Sequence, residues 1–392
     1  MIAPTPFFGD RGCHVRIFEE VQALAAEQVE VEVVTYPVGD DVPGVRIHRA
    51  SRVPGVGVRA VGPSYGRLAL DASLLATAYR AARQFQPHLV HAHLHEGIAI
   101  GAVLRRRFGV PLVADLQGSL SAELVDHGFF GRRNPLPRLV DPFERWLVRR
   151  PDAVLVSARE GEAMLVRQGV DPRRVFWLPD GADLRRFTPR PPDPALQRRL
   201  GVVGKQVVVY LGLLTPYQGV DLLLNAVPAV VRRVPEAHFL VMGYPDEEVY
   251  RQRVRDLGLT AHVTLPGRIP YEEAASYLAL GEIAVSPKQS LTEANGKLLN
   301  YMACALPTVA TDTPVNRDLL GDAGLFVPVG DPAALAESLI ALLRDPERQL
   351  AIGARLRERV EARFAWPALA SRLVGIYQRV APPLDRQHAT GP

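Results

Sequence analysis

The sequence predicts two successive α/β domains, each built around a parallel, doubly wound sheet. Short β-rich runs alternate with amphipathic helical patterns along the chain, and such alternation is typical of parallel sheets covered by helices. The 392 residues are enough for two to three domains at roughly 150 residues each. Thr188–Ala195 interrupts the alternation with four prolines in eight residues, so we expect an interdomain linker there.

The first domain is predicted to span residues 1–188. Its strands are expected at Glu30–Tyr36, His88–His93, Pro111–Asp115 and Ala153–Ser157. Helical periodicity is present at Val15–Ala26, Ala72–Phe85, Gly97–Phe108 and Arg159–Gln168. Only three residues precede the loop at Pro4, fewer than the about five of a central strand. We therefore expect the natural chain to begin upstream of Met1.

The second domain is predicted to span residues 196–364, where the same alternation restarts. Its strands are expected at Gln206–Leu211, His238–Met242, His262–Leu265, Ile283–Ser286, Pro307–Ala310 and Leu325–Val327. Its helices are expected at Gly219–Arg233, Glu247–Leu257, Tyr271–Leu280 and Lys297–Ala305. Residues 382–392 are expected to form a flexible tail.

The composition excludes several classes of protein. With 47% hydrophobic and 22% charged residues, the chain is expected to fold rather than to remain disordered. No run of 18 apolar residues and no signal peptide is recognisable, so no membrane-spanning helix is predicted. Two cysteines, Cys13 and Cys304, fit a reducing, cytoplasmic location. The net charge of +4 points to an anionic partner such as a phosphate, a membrane surface or a nucleic acid.

Glycine-containing loops follow a strand in each predicted domain. Gly9 and Gly12 lie between a strand end and a helix start in the first domain, and Gly212 and Gly219 do so in the second. Glycine lets the backbone approach a ligand closely, and main-chain amides at a helix start favour an anion. The spacing is not GxGxxG, so no dinucleotide fingerprint is present. An ordinary strand–helix turn is the alternative.

A further candidate anion site lies at the start of the helix predicted over Lys297–Ala305. Asn295 is placed to cap this helix, where the free amides and the Lys297 ammonium would face an anion. Glu293 in the preceding loop is suited to accept hydrogen bonds from sugar hydroxyls, and Asn300 follows about one turn into the helix. A solvated lysine in the first turn is the alternative interpretation of Lys297.

The order and spacing of these loops resemble the family 4 retaining glycosyltransferases over nearly the full chain. The matching segments are APTPFFGDRG, PHLVHAH, LPDGADLRRFTP, LGLLTPYQGVDLLLNA, NYMACALPTVATDTP and GLFVPVGDPAALAESL. The resemblance implies the GT-B fold: two facing Rossmann-like doubly wound domains with a cleft between them. It also implies that a C-terminal helix, about 366–380, completes the first domain.

The resemblance implies that the protein transfers a sugar from a nucleotide diphosphate sugar to an acceptor, with retention of anomeric configuration and without a metal or other cofactor. Lys297, Glu293 and Gln117 are the implied catalytic residues, which would stabilise the departing diphosphate, position the donor sugar and face the reacting carbon. The implied donor-binding residues are Gly212, Gln218, Gly219, Gly267, Arg268, Asn295, Gly296, Leu298 and Asn300. The implied acceptor-side residues are Gly9, Asp10, Arg11, Gly12 and His93.

The chain departs from the family pattern at several positions. Leu213 and Gln218 stand where the family has a phosphate-binding arginine and lysine, and Ala305 replaces a glycine at a helix end. Asn300 replaces a carboxylate, and Gln117 replaces a histidine. We favour a divergent subgroup, because the loop glycines remain. The alternatives are a nucleotide-sugar-binding protein without activity, and a nucleotide-sugar epimerase or hydrolase on the same fold.

The run HAHLHEG raises the question of a metal site. His91, His93 and His95 are expected on one face of an extended strand, with Glu96 next to them. A strand that ends at a ligand site also explains polar residues there, and the family that the chain resembles is metal-independent. We therefore expect no metal, and a structural role or an acceptor contact instead.

The densest basic and aromatic segment is Gly128–Arg150. This composition fits a peripheral contact with an anionic membrane, at its inner face, that gives access to a lipid-linked acceptor. A solvated helix on the first domain is the alternative. No nucleic-acid-binding motif is present, so the expected partners are a nucleotide sugar donor and a carbohydrate or lipid-linked acceptor, not nucleic acid. Polysaccharide biosynthesis in the cytoplasm is the expected setting.

Overall fold

A computed structural model of the protein describes residues 1–9, 12–56, 65–118, 137–290 and 294–381. The chain divides into two compact units. The first consists mainly of Met1–Gly9, Cys13–Pro179 and the chain from Pro367 onward, and the second mainly of Asp180–Trp366. The predicted tail at 382–392 lies outside the described residues.

A parallel sheet forms the centre of the first unit. Its described strands are β1 (Ile2–Ala3), β2 (Glu32–Thr35), β3 (Arg46–Arg49), β4 (Val90–His93), β5 (Leu112–Leu116), β6 (Ala153–Val156) and β7 (Val175–Trp177). They lie in the order β3-β2-β1-β4-β5-β6-β7. The helices of this unit span Gly12–Ala26, Tyr65–Phe85, Leu94–Phe108, Pro137–Val148, Arg159–Arg167 and Trp366–Val380.

A second parallel sheet forms the centre of the second unit. Its described strands are β8 (Gln206–Leu211), β9 (Ala237–Met242), β10 (Val263–Gly267), β11 (Ile283–Ser286), β12 (Thr308–Thr311) and β13 (Leu325–Val327). They lie in the order β10-β9-β8-β11-β12-β13. The helices span Pro194–Leu200, Val220–Arg233, Glu247–Asp256, Ala274–Leu278, Lys297–Ala303, Pro314–Leu320, Pro332–Leu343 and Pro346–Arg363.

The two sheets share one topology, in which the strand order reverses next to the first strand. The reversal falls between β1 and β4 in the first sheet and between β8 and β11 in the second, as in the Rossmann fold. The predicted pair of Rossmann-like, doubly wound domains is confirmed. In such sheets, ligands bind outside the carboxyl ends of the strands at the point of reversal. This rule directs attention to the residues that follow β8 and β11.

The strands missed by sequence periodicity are short or lie at a sheet edge. β3 has the sequence RIHR and forms one edge of the first sheet, and its polar residues interrupt any continuous apolar run. The proline-rich Thr188–Ala195 was expected to be linker throughout. Instead a helix begins at Pro194, because Asp193 accepts a hydrogen bond from the Ala195 N–H at 2.8 Å and proline is tolerated at the first helical position.

Among the described residues, no helix is both long and apolar enough to span a bilayer.

The residue that replaces the family's glycine, Ala305, has a left-handed backbone conformation with φ +54°. This conformation strains the folded state of a non-glycine residue by roughly 1–2 kcal/mol. Glycine avoids the strain but destabilises the folded state by about 0.4–1 kcal/mol, because it increases the entropy of the unfolded chain. We expect Ala305→Gly to raise the free energy of unfolding by about 0.5–1 kcal/mol, measured by urea denaturation. Ala279→Gly is the matched control, because Ala279 ends a helix at φ −64° and should lose stability. Equal effects at both positions would contradict the interpretation of strain at Ala305.

Candidate functional site

Three glycines surround the carboxyl end of β8, at the point of reversal in the second sheet. A Cβ atom on Gly219, whose φ is +79°, would overlap the carbonyl oxygen of Pro287, which follows β11. A Cβ atom on Gly243, after β9, would overlap the carbonyl oxygen of Gly212, after β8. The backbones can approach so closely only because side chains are missing here. Gly212 and Gly219, which the sequence predicted, and Gly243, which it did not, therefore form one cradle at the strand ends.

Lys297 reaches into this cradle from the first position of the helix Lys297–Ala303. Its Nζ atom donates a hydrogen bond to Gln218 Oε1 at 2.6 Å and lies 3.4 Å from the Tyr210 hydroxyl oxygen. A Cβ atom on Gly212 would come within 2.6 Å of the same Nζ. The structure thus brings two predicted donor-binding residues, Gly212 and Gln218, next to the predicted catalytic Lys297. It adds Tyr210, which the sequence analysis missed.

The Tyr210 side chain also contacts the Lys297 ammonium. Its ring centroid lies 4.6 Å from Lys297 Nζ, within the range of a cation–π contact. Its hydroxyl donates a hydrogen bond to the carbonyl oxygen of Leu213 at 2.7 Å, and burial raises the pKa of Tyr210 well above its usual value. The Tyr210 hydroxyl therefore stays protonated and uncharged. The sequence signal that could have identified this residue is a polar aromatic side chain at the end of a buried strand.

Gln218 occupies the position where the family has a lysine. Because its Oε1 accepts from Lys297 at 2.6 Å, a lysine here would place two ammonium groups in repulsive contact. The neutral Gln218 amide is therefore compatible with the Lys297 ammonium next to it. One lysine on the helix stands beside the cradle, with a neutral partner in place of a second cation.

Asn295 does not cap the helix as the sequence predicted. Gly296 is the N-cap residue, with helical φ −55° and no side-chain cap, and Asn295 is 3% exposed. The Asn295 Nδ2 atom instead donates to Ser286 Oγ at 3.0 Å and to Asn316 Oδ1 at 2.8 Å. The side chain turned inward because the end of β11 and the helix Pro314–Leu320 supply buried partners that a local pattern cannot show.

Some main-chain amides expected to face an anion are already used. The Gly219 N–H donates to the Pro216 oxygen at 2.9 Å, and the Leu298 N–H donates to the Asn295 oxygen at 3.0 Å. The Leu298 side chain is fully buried in the core. In this structure the Gly219 and Leu298 amides already have main-chain acceptors, and the roles of both residues in donor binding stay predictions. The positive charge of Lys297 still favours an anion at this site.

The other predicted donor residues lie at the same edge of the second sheet or outside the described residues. Gly267 ends β10, and its oxygen accepts the Gly243 N–H at 2.9 Å. The guanidinium carbon of Arg268 lies 5.6 Å from the ring centroid of Tyr244. Asn300 is half-buried within the helix. A Cβ atom on Gly296 would lie 2.9 Å from Asp180 Oδ2. Glu293 is not among the described residues.

The first unit contains a buried cluster of charged residues at the end of β4. Glu20, His91, His93 and Asp115 each offer one nitrogen or oxygen atom, and these atoms lie within 4.8 Å of one another. Arg16 compensates the acidic charge, because its Nε and NH2 atoms donate to Asp115 Oδ2 at 3.1 and 2.8 Å. Burial lowers the pKa of both histidines well below the usual range.

The cluster changes the interpretation of the histidine run. His91 and His93 share a face of β4, and their rings stack with centroids 4.5 Å apart. His95 was expected on the same strand face. It lies instead in the helix Leu94–Phe108, with Nε2 3.4 Å from Glu144 Oε1. His93 is completely buried, so the expected acceptor contact of its side chain does not follow from the structure. The absence of a metal stays a prediction.

The remaining acceptor-side residues of the first unit are less enclosed. Gln117 directly follows β5 and is partly exposed, and its Nε2 atom has no hydrogen-bond partner in the structure. Gly12 is the exposed first residue of its helix, and Gly9 precedes it in the loop. Asp10 and Arg11 lie outside the described residues.

Comparison with known proteins agrees with the two Rossmann-like domains. Residues 11–181 match the model of a glycosyl transferase 4-like domain, and residues 205–345 match that of glycosyl transferases group 1. The chain belongs to this family of glycosyltransferases and has the GT-B fold. It is 31% identical to a D-inositol 3-phosphate glycosyltransferase of Salinispora arenicola, covering 95% of this chain and 88% of the relative.

Another relative has the same name, and two solved structures have the same fold. A D-inositol 3-phosphate glycosyltransferase of Kineococcus radiotolerans is 29% identical, covering 95% of this chain and 92% of the relative. The structure of sucrose-phosphate synthase from Thermosynechococcus elongatus superposes with a TM-score of 0.80 at 21% identity, covering 96% and 97% of the two chains. Anabaena HepE, solved in complex with UDP-glucose, has a TM-score of 0.75 at 15% identity, covering 95% and 97%. These structural similarities concern the fold.

Proposed function

We propose that this glycosyltransferase uses a nucleoside diphosphate sugar as donor and holds its diphosphate in the glycine cradle of the second unit. The observation that carries the proposal is the Lys297 ammonium, held 2.6 Å from Gln218 Oε1 beside Gly212. An ammonium group can exchange a neutral amide oxygen for a phosphate oxygen, which forms a stronger, charge-assisted hydrogen bond. The Lys297 ammonium, 2.6 Å from Gln218 Oε1, therefore has the charge and the position to bind a phosphate oxygen.

The chemistry that this arrangement supports is stabilisation of the leaving group. When the bond between the anomeric carbon and the diphosphate breaks, negative charge develops on the phosphate oxygens, and Lys297 stabilises it. The acceptor hydroxyl forms the new bond to the anomeric carbon, and its proton passes to the departing diphosphate. We extend the proposal to retention of configuration, with attack on the face from which the diphosphate leaves. No metal or other cofactor is needed for these steps.

We assign the remaining roles as the sequence predicted them. Glu293 positions the hydroxyls of the donor sugar, and Asn300 binds the ribose through its uncharged amide. The main chain at Gly267 and Arg268 binds the base. Gln117, whose amide nitrogen has no hydrogen-bond partner in the structure, belongs to the acceptor side. The relatives are named for D-inositol 3-phosphate, and HepE binds UDP and UDP-glucose, so these compounds are the first to test.

A thermal-shift screen followed by a transfer assay tests the donor class. We expect a nucleoside diphosphate sugar to raise Tm, because a ligand that binds only the folded protein stabilises it by about 2.7 kcal/mol at 100 times its Kd. The donor found in this way is then incubated with glycan, lipid-linked and D-inositol 3-phosphate acceptors. Absence of a shift with any nucleotide sugar would contradict the proposal. Donor breakdown without an acceptor would indicate an epimerase or hydrolase instead.

We further propose that the first unit contacts an anionic membrane through exposed residues of the helix Pro137–Val148. This helix lies within the segment Gly128–Arg150 that the sequence predicted for this role. Residues 128–136 lie outside the described residues. Phe143 and Trp146 are each 50% exposed, and their rings lie 6.0 Å apart. The guanidinium of Arg150 lies 4.4 Å from the Trp146 ring centroid. Exposed aromatic rings beside arginine are the chemistry that binds the interface of acidic lipids.

Vesicle sedimentation tests the membrane contact. We expect the double variant Phe143→Ala/Trp146→Ala to lower binding to vesicles with 30% phosphatidylglycerol by about ten-fold, because two half-exposed rings no longer enter the interface. Leu350→Ala is the control, since Leu350 is an apolar residue of the second unit with 77% exposure. Equal binding of the wild-type protein to neutral and acidic vesicles would remove the membrane from the proposal.

A further inference from the structure

A buried polar network lies behind the loop that leads into the helix Lys297–Ala303. Ser286 ends β11, Thr311 ends β12, and Asn316 lies in the following helix Pro314–Leu320. These three residues and Asn295 are 0–3% exposed. The Rossmann topology does not require four polar side chains to be buried together at the strand ends. Elsewhere in the sheet, apolar residues fill the core.

Two amide side chains form the centre of the network. Asn295 Nδ2 donates to Asn316 Oδ1 at 2.8 Å and to Ser286 Oγ at 3.0 Å. Asn316 Nδ2 in turn donates to the Thr311 main-chain oxygen at 2.8 Å. The orientation of each amide is therefore set by the next one, and the chain of hydrogen bonds ends on the backbone of a central strand. The Asn295 Oδ1 atom is buried without a hydrogen-bond partner in the structure, so the two hydrogen bonds of its Nδ2 atom hold this amide.

A second set of hydrogen bonds closes the same loop. The Lys288 ammonium, 4% exposed, donates to the Ala294 main-chain oxygen at 2.7 Å. The Thr311 hydroxyl donates to the main-chain oxygen of Lys288. Thr311 thus contacts both the start of the loop and Asn316, and the two ends of the loop are tied to one strand end.

The network acts on Lys297 through the backbone. The Asn295 carbonyl oxygen accepts the Leu298 N–H at 3.0 Å, the first hydrogen bond of the helix. Because the Asn295 side chain is fixed to Asn316 and Ser286, the starting point and direction of the helix are fixed as well. Lys297, the first helical residue, is thereby held at its distance of 2.6 Å from Gln218 Oε1.

We propose that Asn316 and Asn295 are positioning residues for the donor phosphates, which set the place of the Lys297 ammonium without contacting the substrate. The inference rests on the proposed function, in which Lys297 binds the diphosphate. It adds that this contact depends on an amide pair more than twenty residues apart in the chain. Loss of the amide pair lets the helix start shift, and a positively charged group displaced by even an ångström loses much of a charge-assisted hydrogen bond.

A double-mutant cycle tests the inference. The probe is the nucleoside diphosphate among UDP, GDP and ADP that raises the Tm of the wild-type protein most, and its Kd is measured by calorimetry. We expect Lys297→Ala to raise Kd by about 10- to 100-fold and Asn316→Ala by about five-fold. The double variant should bind as Lys297→Ala does, because Asn316 acts only through Lys297.

Controls separate positioning from a general loss of folding. Ser286→Ala removes one oxygen of the network with little change in volume, and we expect a smaller rise in Kd in the same direction. Asn225→Ala removes an exposed asparagine of the same unit and should leave Kd unchanged. Multiplicative effects of Asn316→Ala and Lys297→Ala, or an unchanged Kd in Asn316→Ala, would overturn the inference alone. An unchanged Kd in Lys297→Ala would overturn the proposed function and the inference with it.

Discussion

Lys297→Ala is expected to lower kcat/KM of glycosyl transfer by about 100- to 1,000-fold, the usual loss when one group that stabilises developing negative charge is removed. Lys297 is the cation that the structure places beside the glycine cradle, 2.6 Å from the neutral Gln218 amide. The alanine variant keeps the cradle but presents no charge to the phosphates. Initial rates at varied donor concentration give kcat and KM separately.

Lys205→Ala is the matched control for this experiment. Lys205 is an exposed lysine of the same unit, in the turn before β8, so its removal changes the net charge equally without touching the cradle. We expect its donor kinetics to equal those of the wild-type protein. Donor kinetics of Lys297→Ala within two-fold of wild type would contradict the assignment of the phosphate site.

Arg16→Met is expected to lower the free energy of unfolding by about 3–5 kcal/mol, because removal of one member of a buried ion pair leaves the other charge uncompensated. The Arg16 and Asp115 side chains are 1% and 0% exposed, with the Glu20 carboxylate 4.0 Å from Arg16. Arg16 NH2 also donates to the Leu178 oxygen at 3.1 Å. Urea denaturation, followed by circular dichroism, measures the loss.

Arg105→Met provides the comparison at the surface of the same unit. Arg105 Nε and NH2 donate to the two carboxylate oxygens of Asp152 at 2.8 and 2.6 Å, and these side chains are 45% and 26% exposed. An exposed pair contributes at most about 1 kcal/mol, so this variant should lose much less stability. The double variant Arg16→Met/Asp115→Leu should recover part of the loss, since it removes the uncompensated carboxylate. Equal losses in the two single variants would refute the role given to burial.

The sequence was sufficient for the architecture and for the glycine loops, because these depend on local signals. Buried runs such as QVVVYL and AHFLVM predict strands of a parallel sheet whatever their partners are. Gly212 and Gly219 could be selected because glycine after a strand indicates a close approach of backbones. The partly buried edge strand RIHR was missed, since its polar residues leave no continuous apolar run.

The sequence did not reveal which side chains meet. Asn295 was expected to cap its helix because that is the nearest use for an asparagine before a helix start. It turned inward because Asn316 and Ser286 stand within hydrogen-bond distance. His95 was placed on a strand by the alternation HAHLH, but the helix had already begun at Leu94. In both cases the prediction from the local pattern was wrong, because residues elsewhere in the chain decide the hydrogen-bond partner or the helix boundary.

By itself the sequence determined two parallel α/β domains, the glycine loops, and a lysine with the right chemistry for a phosphate. Only the tertiary structure decided that Lys297 pairs with Gln218 and Tyr210, and that Arg16 compensates Asp115. The physical reason is that periodicity and turn chemistry act over a few neighbouring residues. The pairing of charges instead depends on which distant strands the crossover helices bring side by side, and on how deeply that juxtaposition buries them.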